Sequence, residues 1–148
     1  MNAEAHLRGE GCQLRVRAAG YEYPDLETGD DANWVTGEVE LTCARVGQFT
    51  ATVAVALRTD ELAAFVDQLR VIDSELAGEA RLVHLESLLG ATVRLEGDGQ
   101  GTLSAFVRDR VEAELRVADA PIDPAAVRAA LDEFAALVDA FPVRGEPF

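Results

Sequence analysis

Five carboxylates fall within ten residues of this chain: Glu22, Asp25, Glu27, Asp30 and Asp31. No base lies between Arg17 and Arg45 to neutralise them, and three aromatic residues, Tyr21, Tyr23 and Trp34, bracket the stretch. Oxygen ligands at this density could hold a divalent cation. A calcium loop, however, needs oxygens at alternating positions, a glycine at its bend and a distal glutamate. Asp25, Glu27, Asp30 and Asp31 do not follow that spacing, so no metal is expected. A solvated loop and a protein-binding surface both stay open, since acids draw in basic partners and Tyr and Trp supply packing area.

The other chemistry-bearing residues are isolated. Cys12 and Cys43 belong to no CxxC motif and His6 and His84 are far apart, so zinc and haem ligation fail on ligand count. Both cysteines take apolar positions of expected strands, the usual place of a reduced, buried thiol. His84 could serve as a general base, but it alternates with apolar neighbours and reads as a packed or edge histidine. Ser74, Ser87 and Ser104 lack a GxSxG context. The run from Gly97 to Gly101 lacks the Lys and Ser/Thr of a phosphate-cradling loop, opens no helix and follows Glu96. It reads as a hairpin turn. No residue set demands catalysis or a cofactor.

Charge narrows the partners. Acids outnumber bases 27 to 13, for a formal net charge of −14, and every base is arginine. Such a chain repels phosphate backbones and anionic lipid surfaces, so neither direct nucleic-acid nor membrane binding is expected. The start, Met1-Asn-Ala-Glu-Ala-His6, has neither the positive segment nor the apolar run of a signal peptide. No apolar run approaches the ~20 residues that span a bilayer. A cytoplasmic location and one globular domain over residues 1–148 are the expectations.

These residues must be positioned by elements that the hydrophobic pattern predicts. Residues 1–11 are polar and carry Gly9 and Gly11, which predicts a loose lead-in. Cys12, Leu14, Val16 and Ala18 alternate with Gln13, Arg15 and Arg17 as in a half-buried strand. Pro24, Gly29 and the Asp30-Asp31 pair then forbid regular structure from about 20 to 33. Alternation resumes over Trp34–Ala44 and Phe49–Leu57, a hairpin about Arg45-Val-Gly47. Leu62, Phe65, Val66, Leu69, Ile72 and Leu76 recur at three and four, giving an amphipathic helix capped by Thr59 or Asp60 and ended at Gly78. Strands follow over 79–84, 92–96, 101–108 and 111–117. A second helix starts at Pro124, capped by Asp123 and stopped by Pro142. The predicted order is βββα-ββββα: an α+β domain with an antiparallel sheet of about seven strands and two amphipathic helices on one face.

Four segments, Gly20-Tyr-Glu-Tyr-Pro24, Asn33-Trp-Val-Thr-Gly37-Glu-Val39, Phe49-Thr-Ala51 and the helical Asp60-Glu-Leu62-Ala-Ala-Phe65-Val-Asp-Gln-Leu69, together resemble the WapI-like family of bacterial immunity proteins. Residues 14–78 carry most of the likeness. The resemblance implies a non-enzymatic inhibitor of a toxin delivered between neighbouring cells, in the namesake system a tRNA nuclease, and it transfers no functional residues. An acidic protein suits the basic cleft of a nuclease-like toxin. Its hot spots would combine Tyr21, Tyr23 and Trp34 with Asp25, Glu27, Asp30 and Asp31. The competing reading is a small-molecule-binding or regulatory module with a pocket between sheet and helices.

Overall fold

Period-two patterning becomes strand, and the three-four pattern becomes helix, throughout residues 3–145, which the computed structural model describes. The chain runs β1 (Ala3–Gly9), β2 (Cys12–Tyr21), β3 (Trp34–Cys43), β4 (Phe49–Arg58), α1 (Thr59–Glu75), β5 (Ala77–Val83), β6 (Leu89–Glu96), β7 (Gly101–Arg108), β8 (Glu114–Pro121) and α2 (Pro124–Ala140). A short 3-10 helix, Asp30–Asn33, sits in the loop before β3. The strands form two antiparallel meanders, β1-β2-β3-β4 and β5-β6-β7-β8.

The α+β class holds, with eight strands in two sheets. The expected lead-in is replaced by β1, which pairs with β2 from Ala3↔Ala18 to Gly9↔Cys12; Met1 and Asn2 lie outside the described residues. Ala5 and Leu7 are buried between Glu4, His6 and Arg8, an alternation too short to stand out beside two glycines. Both halves therefore share the order ββββα. The strands do not merge into a single sheet because α1 separates β4 from β5 and lies along β5.

The helix ends show which local signals prevail. For α2 the reading is met: Asp123 accepts the Ala126 N–H at 2.8 Å and Pro124 opens the helix, so its side chain satisfies one orphan donor. For α1 it is not. Thr59 is the first helical residue, the capping position falls on Arg58 without a side-chain cap, and Leu76 takes the left-handed turn expected of Gly78 (φ 58°, ψ 23°).

Layering follows from where each apolar stripe is buried. The Gln68 side chain of α1 accepts the backbone N–H of Arg81 in β5 at 2.8 Å. Helix α2 lies along β1, where Glu133 receives hydrogen bonds from His6 and Arg8, both at 2.6 Å. Each helix thus covers the first strand of the other half. The two helices meet through Phe65 and Phe134, fully buried, with ring centroids 5.2 Å apart and edge to face. On the far side β3 and β4 approach β7 and β8 directly, closing one continuous core.

Candidate functional site

The acidic loop leaves the sheet at Tyr21 and re-enters it at Trp34, where the Glu22 N–H donates to the Trp34 carbonyl at 2.9 Å. Tyr21 is half-buried, with its ring edge-on to Phe141 at 5.7 Å and its hydroxyl donating to the Pro142 carbonyl. Burial pushes the Tyr21 pKa up, with the nearby Arg144 charge opposing. The Arg144 guanidinium lies over the same ring at 4.1 Å and donates to the Pro24 carbonyl at 2.7 Å. Asn33, fully buried, joins the loop to Thr59 and to the Arg144 backbone. Arg58 is 5 % exposed; it lies 5.0 Å over the Trp34 ring, pairs with Asp60 and donates to the Asp30 carbonyl at 3.3 Å. A stretch from the C-terminal side and one buried arginine therefore fix the loop from below.

Of the residues that sequence nominated, Tyr21 and Trp34 serve as this support. Tyr23, Asp25, Glu27, Asp30 and Asp31 face solvent with Glu22. None of the five loop carboxylates makes an ion pair among the described residues, whereas every arginine except Arg45 and Arg144 does. The positive charge is thus used elsewhere, and the loop's negative field reaches solvent over a Debye length of about 8–10 Å. Among the acids stand two exposed apolar side chains, Tyr23 (44 %) and Leu26 (41 %), set by a turn in which the Leu26 N–H donates to the Tyr23 carbonyl at 3.1 Å. Sequence reasoning missed Leu26, since one aliphatic residue in a loop carries no chemical signature. It missed Asn33 and Arg144 because no local pattern links positions 111 apart.

The remaining candidates are structural. His84 accepts the Leu88 N–H at Nδ1 (3.2 Å), so Nε2 carries the proton it gives to the Ala56 carbonyl (2.8 Å); neither nitrogen is left for proton transfer. Glu61 packs beside it, its pKa pushed up to about 7, chiefly by burial, with Oε1 unpartnered among the described residues. Cys12 and Cys43 are opposite each other in the β2–β3 ladder as free thiols. Burial first, and then the neighbouring Cys43, raise the Cys12 pKa, which makes it a poor nucleophile. A cleft of about 720 Å³ opens between the β1–β2 turn, the β6–β7 turn and the start of α2. Among the described residues no group of three His, Cys, Asp or Glu side chains is placed to hold a metal, and no helix is long and apolar enough to cross a membrane.

Residues 6–142 match the family model described as "Immunity protein WapI-like family". No curated protein matches the chain. Among solved structures, the crystal structure of WHY1 from Arabidopsis thaliana is similar at 14 % identity, covering 95 % of this chain and 81 % of that one with a TM-score of 0.48.

Proposed function

Since the chain belongs to the WapI-like immunity protein family, we propose that it neutralises a basic, nuclease-like toxin domain by binding rather than catalysis, and that the loop from Glu22 to Asp31 makes the contact. The observation that carries this reading is the set of five exposed, unpaired carboxylates around Tyr23 and Leu26. Carboxylates raise the rate of encounter with a basic cleft, and the two apolar side chains supply desolvated anchors. Support from Asn33, Arg58 and Arg144 holds the loop in shape before binding, which lowers the ordering cost of association. A surface whose sign matches phosphate can fill a nuclease's cleft without being cut.

Binding kinetics with a basic, nuclease-like toxin domain test the reading. Asp30→Asn with Asp31→Asn should slow association and flatten its salt dependence while leaving the melting temperature in place. Unchanged association rate and salt slope would sink it. The cleft between Arg8, Gly9, Gln100 and Ile122 favours the second reading, a small-molecule module; a ligand that raises the melting temperature in a thermal-shift screen would support it.

A further inference from the structure

Four edge strands bound the two sheets, and three of them are guarded. α2 lies along β1 and α1 along β5. β8 carries Glu114, Arg116 and Asp119 and breaks register with β7 between Leu103 and Ala105. It ends in Pro121, whose carbonyl accepts the Glu10 N–H at 2.7 Å. Covering helices, charges, bulges and proline are the devices that stop one sheet edge from pairing with another. The remaining edge, β4, has none of them. Phe49–Leu57 contains no charge and no proline, and pairs with β3 without a register break.

Backbone direction shows what this edge offers. Hydrogen bonds from Glu22 N–H to the Trp34 carbonyl and from Ala44 N–H to the Gly11 carbonyl turn the even-numbered residues of β3 toward β2. The odd-numbered residues of β3 and β4 therefore bond each other, and Thr50, Thr52, Ala54 and Ala56 point their N–H and C=O groups outward. His84 takes the Ala56 carbonyl. The outward groups of Thr50, Thr52 and Ala54 have no hydrogen-bond partner among the described residues. Beside them, a groove of about 430 Å³ separates Thr50–Val53 from Val107, Asp109, Ala113, Glu114 and Leu115.

We propose that β4 pairs antiparallel with β4 of a second copy of this chain, about a two-fold axis at Thr52. In that register Thr50 faces Ala54 of the other copy and the two Thr52 residues face each other. All three free residues then find partners, and Ala56 stays with His84. Phe49–Leu57 is uncharged, unlike the other three edge strands. With a net charge of −14, two copies repel wherever acids meet acids. No charge lies between Arg45 and Arg58. The antiparallel register carries Arg45, which makes no ion pair among the described residues, toward the other copy's Asp60. Two-fold symmetry repeats that attraction. The exposed Val46 and Phe49 lie at the same end of the strand and are covered by the pairing.

Sedimentation or light scattering on the full chain tests this. The wild type should show twice the 15.9 kDa chain mass. Thr52→Pro removes an outward N–H without touching the chain's own ladder, and should halve that mass. Thr52→Glu and Thr52→Lys each set like charges across the axis and should also give the single-chain mass. Mixing the Glu and Lys variants should restore the double mass. Circular dichroism and melting curves verify that each variant folds; should Thr52→Pro unfold, the charge-swap pair decides alone. A wild type of single-chain mass overturns the proposal, as does a double mass indifferent to Thr52, or no restoration on mixing. Amide protection of Thr50–Ala54 that appears only with an added toxin domain assigns the edge to that partner instead.

Discussion

Asn33 and Arg144 hold each other by two hydrogen bonds that close a ring: Oδ1 accepts the Arg144 N–H at 2.6 Å and Nδ2 donates to the Arg144 carbonyl at 3.0 Å. The amide imitates a strand partner, and its oxygen also accepts from the Thr59 hydroxyl at 3.2 Å. Through this one buried side chain, the loop, the start of α1 and the stretch beyond α2 share a joint.

Asn33→Ala leaves those groups unsatisfied and should cost about 2–3 kcal/mol, measured by urea unfolding. Hydrogen exchange in residues 22–32 should rise at the same time. A stability loss without faster exchange in the loop would show that Asn33 supports the core and not the loop.

Tyr23 and Tyr21 should separate binding from stability. Tyr23→Ala or Leu26→Ala should weaken toxin binding by about tenfold or more, with stability changed by less than about 0.5 kcal/mol. Tyr21→Ala should lower the melting temperature, because its ring packs on Phe141 and under Arg144. Calorimetry and thermal melts of the three variants check this.

Glu61 sets a pH dependence. Burial lifts its pKa from an ordinary 4.5 to about 7, so between those values the folded chain keeps a proton that the unfolded chain releases. The stability this represents is present below pH 4.5 and is lost as pH rises to about 7, by at most about 3 kcal/mol. Glu61→Gln should abolish that decline and be more stable than wild type at alkaline pH. Urea midpoints between pH 5 and about 8 read the window; parallel curves for the two proteins would rule Glu61 out as its source.

Phe65 and Phe134 join the two halves of the chain. Either one changed to Ala should destabilise by about 3–5 kcal/mol. The double variant should lose less than the sum, by about 0.5–1.5 kcal/mol, because their edge-to-face contact is then counted once. Guanidinium titrations of the double-mutant cycle measure it.

Features written in adjacent residues were legible in the sequence. Asp123 and Pro124 fix the start of α2, Gly101–Arg108 bounds β7, and the five carboxylates mark the loop, all through neighbours in the chain. Features decided by distant residues were not. The division into two sheets depends on α1 lying along β5. The left-handed Leu76 depends on where the chain must turn to start β5. The support beneath the acidic loop depends on Arg144, whose isolated position in sequence says nothing of Tyr21 or Asn33.

The last helix of the fold shelters its first strand. Until α2 has emerged from the ribosome and docked, a growing chain presents β1 with a bare edge and an unfilled inner face. The 125-position gap between Arg8 and Glu133 makes that docking a late, entropically costly closure. A nascent chain of this design is thus most open to misassembly just before α2 is made.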